Sequence, residues 1–94
     1  MKEFILTNEV TILNEHAASI KTKDGRFLLS YNTIVCFIDN DKEVYKCWDG
    51  YTKSTMKHIA MFTSYYSYTV IDRKKDFEAL PPCKVKTDVF YQEN

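Results

Sequence analysis

Glycine and proline are nearly missing, with two of each in 94 residues. Few turns therefore have a dedicated turn residue, and flexible linkers are not expected. Two glycines set 25 residues apart, Gly25 and Gly50, cannot build a phosphate-cradling loop. No apolar run approaches the roughly 20 residues needed to span a bilayer. The opening MKEFILTNEV carries Glu3 and only a four-residue apolar patch, and so does not read as a signal peptide. Charge of one sign is also lacking: 13 basic residues balance 13 acidic ones. A protein that lives on nucleic-acid backbone usually has a basic excess, because its affinity comes largely from neutralised phosphates. The three cysteines, Cys36, Cys47 and Cys83, are odd in number and lack CxxC spacing. Reduced, mostly buried thiols are expected, not a disulfide framework.

What is present is apolar and aromatic. Hydrophobic residues make up 45% and aromatics 15%, including seven Tyr and six Phe. That composition, at this length, predicts one globular domain over residues 1–94 with one modest core. Residues 2–6 read as a short strand that 9–13 extends. Asp24-Gly25 between two apolar runs signals a hairpin of strands near 16–22 and 26–31, with the glycine supplying the positive φ of a type I′ turn. Thr33 to Ile38 reads as a central strand with Ile34, Cys36 and Ile38 on one face and Val35 and Phe37 on the other. Asp39 to Lys42 forms the next turn. Glu43 to Trp48 returns with Val44 and Trp48 opposite Tyr45 and Cys47, and Trp48 is expected to anchor sheet to helix. A helix follows, capped by Ser54 or Thr52, with Met56, Ile59, Ala60 and Thr63 on one stripe beside Phe62, ending near Ser64. Tyr65 to Val70 reads as extended or irregular. Asp72 caps a short second helix to Leu80, stopped by Pro81-Pro82, and Lys84 to Tyr91 alternates as a final strand.

At this point a resemblance enters. Ser30-Tyr31-Asn32-Thr33 with Val35, then Trp48-Asp49-Gly50-Tyr51, Ser54-Thr55, His58-Ile59, Lys74-Lys75 and Ala79-Leu80-Pro81 form a spaced pattern. It resembles a family of small proteins of unknown function common in phages, plasmids and other mobile elements of low-GC Gram-positive bacteria. The likeness spans about residues 26–81, with Cys36, Thr52 and Asp76-Phe77 standing where the pattern has other residues. It implies provenance, and with it the cytoplasm of a bacterial host, and it carries no catalytic residues.

Several constellations suggest chemistry. Ser54 and His58 lie one helical turn apart, the spacing of a candidate Ser–His dyad, but no third group orients the imidazole. Packing of His58 against nearby backbone or the Trp48 turn is the better reading. The cysteines with His16 and His58 lack the close-spaced pairs of a structural zinc site. Asp39-Asn40-Asp41 lacks the glycine and distal glutamate of a calcium loop. No metal and no cofactor are therefore expected. Tyr65, Tyr66 and Tyr68, with Lys53 and Lys57 before and Arg73, Lys74 and Lys75 after, mix aromatic rings with positive charge. That mixture suits a protein interface, where Tyr and Arg are enriched, or stacking on single-stranded bases.

The reading is an α+β fold: a small antiparallel sheet of four to five strands, one main helix packed on it and a short second helix. The leading functional expectation is a non-enzymatic phage or mobile-element accessory protein that binds and inhibits a host protein. An anti-defence inhibitor of a CRISPR-Cas effector is its sharpest form. The alternative is a nucleic-acid-binding accessory factor using the same Tyr/Lys face. A homodimer would fit an exposed sheet edge, and no membrane association is expected.

Overall fold

The computed structural model describes residues 9–83. Five strands, β1 (Glu9–Asn14), β2 (Ala17–Thr22), β3 (Gly25–Ser30), β4 (Thr33–Asp39) and β5 (Val44–Lys46), are followed by helices α1 (Lys53–Tyr66) and α2 (Lys74–Glu78). The strands form an antiparallel meander in the order β1-β2-β3-β4-β5. This is the α+β architecture expected from the sequence. The strands read at 2–6 and 84–91 lie outside the described residues, and among those described no helix is long and apolar enough to cross a membrane.

The Asp-Gly hairpin forms between Thr22 and Gly25, but its turn is not the expected type I′. Lys23 and Asp24 fill the turn without positive φ, while Gly25, the first residue of β3, carries φ 145°. Side chains hold the turn: Asp24 N–H donates to Thr22 Oγ1 at 3.2 Å and Asn40 Nδ2 to the Lys23 carbonyl at 2.9 Å. Glycine is needed for a different reason. A Cβ at Gly25 would press on the Ile38 carbonyl oxygen and lie 2.8 Å from Asp39 Cα, so the backbones of β3 and β4 meet where no side chain fits.

The faces of β4 also differ from simple alternation. Its register against β3 slips between Leu28 and Leu29, placing Val35 as an extra residue between Ile34 and Cys36. One inserted residue exchanges the faces on either side of it. Val35, Cys36 and Ile38 consequently join the helix-side core with Leu28, Val44, Met56, Ile59, Phe62, Ile71 and Phe77. Ile34 and Phe37 instead pack on the opposite face with Ile20 and Phe27. In β5 and the two residues after it the expected division holds, with Val44 and half-buried Trp48 on the helix side and Tyr45 and Cys47 on the other.

Thr52 caps α1, its Oγ1 accepting from Thr55 N–H at 3.1 Å, and Ser54 is exposed within the first turn. The helix runs two residues past Ser64, so Tyr65 and Tyr66 are helical and not extended. Met56, Ile59, Phe62 and Thr63 are buried as their spacing predicts, whereas Ala60 is only half-buried. Thr63 Oγ1 then ties the returning chain, donating to the Ile59 carbonyl at 2.8 Å and accepting from Ile71 N–H at 2.9 Å. The second helix is shorter than expected, and Arg73, not Asp72, sits at its cap position, with no side-chain cap bond.

Candidate functional site

Ser30 ends β3 facing the helix, and Thr55 and His58, three residues apart, face it from α1. Ser30 Oγ lies 3.0 Å from Thr55 Oγ1 and 2.8 Å from His58 Nδ1. His58 therefore has a serine partner, but it is Ser30 and not Ser54, which points to solvent. Ser30 and His58 are 28 residues apart in sequence, so no local spacing signals the pair. Ser30, Thr55 and His58 retain only 2%, 4% and 4% of their accessible surface. A nucleophile needs an open approach, and this hydroxyl has none; its bonds fix the register of α1 on β3 instead.

Above this junction Tyr31 occupies the β3–β4 turn in the left-handed region, at φ 57°. A non-glycine residue there costs on the order of 1–2 kcal/mol, so something must hold it. Tyr31 N–H donates to the His16 carbonyl at 2.7 Å. Its ring stacks on His16 at 4.7 Å and tilts against His58 at 5.5 Å. An open groove of about 320 Å³ beside this stack is lined by Ile12, Asn14, His16, Leu29, Tyr31 and Asn32, among others.

Burial, and then the charge of His16, lower the pKa of His58 below its ordinary 6.5. The unfolded chain thus takes up the proton first. The stabilising contribution of neutral His58 is complete above 6.5 and is lost as pH falls from there through the folded-state value. The melting temperature should fall between pH 7.5 and 5.5, and His58→Gln, which cannot titrate, should flatten that slope. An equal slope in both proteins, followed by circular dichroism, would place the titration elsewhere.

The eight residues read as a partner-binding set separate along α1. Lys74 Nζ lies 5.6 Å from the Tyr51 ring and 3.2 Å from Glu78, which puts it beside the N-terminal end of α1. Tyr65 stands near the other end, about 20 Å of helix away. Tyr66 is half-buried: the Arg26 guanidinium sits 4.1 Å over its ring, and Phe62 meets its edge at 5.5 Å. Arg26 in turn donates to Ser19 Oγ at 3.2 Å, so Tyr66 fastens the end of α1 to the sheet. Tyr65 and Tyr68 remain 63% and 85% exposed, and Val70, outside the expected partner-binding set, adds an apolar side chain at 49%. Lys53, Lys57, Arg73 and Lys75 are exposed and make no ion pair among the described residues. No group of three or more potential metal ligands occurs among the described residues.

The profile of a family of unknown function (DUF8033) matches residues 2–79, most of the chain. The chain belongs to DUF8033. Within the described residues the DUF8033 match takes in every strand and both helices, and stops before Pro81-Pro82-Cys83. No curated protein and no solved structure matches the chain.

Proposed function

We propose that this DUF8033 protein acts by binding a protein partner along the outer face of α1. One observation carries the reading: α1, KSTMKHIAMFTSYY, contains no carboxylate and exposes Lys53 and Lys57 toward one end and Tyr65 at the other. Tyr68 and Val70 widen the aromatic end just beyond the helix. Exposed tyrosines bury large area at small entropic cost, and Lys53 and Lys57, which make no ion pair among the described residues, favour an acidic partner surface. In the mobile-element setting that the sequence pattern implies, the partner is a host protein held inactive, an anti-defence target being the sharpest form.

The experiment is capture from a nuclease-treated lysate of a low-GC Gram-positive host, using the wild type and a Tyr65→Ala/Tyr68→Ala double variant. Truncating exposed side chains should move stability by no more than about 0.5 kcal/mol each. Loss of one nuclease-resistant partner without a change in melting temperature is expected. Partners that vanish on nuclease treatment would support the nucleic-acid alternative, and equal capture by both proteins would move the interface off this face.

A further inference from the structure

We propose that Cys47 and Cys83 form a redox pair that a peroxide closes into an intramolecular disulfide, stapling the chain after α2 to β5. The pairing follows from the backbone. Lys46 N–H donates to the Pro81 carbonyl at 2.8 Å, and Cys83 N–H donates to the Lys46 carbonyl at 2.8 Å. These bonds form a parallel bridge between Lys46 and Pro82. The residues that follow the two members of a parallel bridge stand side by side and point to the same face. Those residues are Cys47 and Cys83. Neighbouring strands lie about 4.8 Å apart, inside the range of Cα separations that a disulfide bridges without strain.

The side chains agree with the backbone. Both cysteines are half-buried and pack on one apolar cluster with Ile20, Phe27, Ile34 and Phe37, and their thiols interact directly. Cys36 is near enough for its thiol to act on the other two electrostatically. It belongs, however, to the opposite, helix-side core and is fully buried, and the thiol that bonds Cys47 is that of Cys83. Burial first, then the neighbouring Cys83 and Cys36 thiols, push the Cys47 thiol well up.

One thiolate attacks the peroxide, breaking the O–O bond and leaving a sulfenic acid, and the first oxygen departs as water. The second thiol attacks that sulfur, the S–S bond forms, and the sulfenic oxygen leaves as a second water. Two sulfurs lose two electrons in all, and the peroxide gains them. Because the reacting species is the thiolate, a raised thiol pKa makes closure slow at neutral pH and faster by up to about tenfold per pH unit above it. The pair stays reduced in ordinary cytosolic conditions and closes under sustained oxidant. Cys83 lies beyond the DUF8033 match, so the pair is not part of the family pattern.

The test treats the reduced full chain with hydrogen peroxide at pH 7 and 9, removes the peroxide, and alkylates the remaining thiols in denaturant so that buried Cys36 reacts. Expected are a monomer about 2 Da lighter before alkylation, a single alkylated cysteine (Cys36), and a Cys47–Cys83 cross-linked peptide. The melting temperature should rise by roughly 10 °C and return on reduction, because the bridge closes the long loop carrying α1 and α2. Cys83→Ser should form no intramolecular bridge and leave a sulfenic acid at Cys47 that a dimedone probe labels. Covalent dimers, a bridge that includes Cys36, or over-oxidised Cys47 in the wild type without a cross-link would each overturn the assignment.

Discussion

Gly25→Ala is expected to be among the most damaging single substitutions in this protein, at a cost of roughly 3–5 kcal/mol. Two penalties add. The φ of 145° lies where side-chain-bearing residues are strained, a cost of order 1–3 kcal/mol. The new Cβ also meets backbone atoms of Ile38 and Asp39 and the Phe37 ring at 2.9 Å. A flexible side chain could swing away from such a contact, but the β4 backbone cannot move without loosening its pairing with β3. The entropy that alanine removes from the unfolded chain returns only about 0.4–1 kcal/mol. Since a domain of this size is stable by about 5–10 kcal/mol, much of the margin would be gone. Urea unfolding of the variant beside Asp24→Ala, its turn neighbour, separates the effects. A Gly25→Ala loss below about 1 kcal/mol would refute the close-approach argument.

Phe62→Ala should cost a similar ~3–5 kcal/mol by a different route. Phe62 is fully buried, sitting in the helix-side core and against the edge of Tyr66. Removing the ring takes away its own transfer free energy and leaves a cavity whose walls, β3 and β4 below and α1 above, are fixed by hydrogen bonds. Phe62→Leu retains most of the volume and should lose less than half as much. Calorimetric unfolding of Phe62→Ala, Phe62→Leu and wild type gives the order directly. Equal losses in the two variants would mean that the site collapses around smaller side chains and that the core there is not tightly specified.

The sequence exposes the elements of this fold better than their faces. Turn residues and the helical stripe locate β2 to β5 and α1 because those signals are local: Asp24-Gly25, Asp39 to Lys42, and the spacing from Met56 to Phe62. The bulge beside Leu28 is not a local signal. It arises from how β4 meets β3, and it parts Ile34 from Cys36 and Ile38 and sets Val35 on the same side as Cys36, against the simple alternation. The end of α1 was hidden for a similar reason. Tyr65-Tyr66 has weak helical preference, and the last turn carries a contact the local sequence does not contain, Arg26 of β3 over the Tyr66 ring. The Ser30–His58 bond joins residues whose proximity depends on the packed sheet and helix, whereas local spacing offers only Ser54. Of the residues proposed for an interface, exposure distinguishes Tyr65 and Tyr68 from Tyr66, and no alternation in the sequence contains that difference.

The meander order also sets a sequence of events during synthesis. Its hairpin connections are two, two, two and four residues long, so the described sheet is contiguous in the chain and complete by Lys46. A ribosome therefore releases all five described strands before the first residue of α1. Until α1 arrives, Leu28, Val35, Cys36 and Ile38 lack the α1 side chains Met56, Ile59 and Phe62 that share their core. The nascent half-protein is then a sticky sheet waiting for its lid, and the six-residue connection over 47–52 keeps that wait brief.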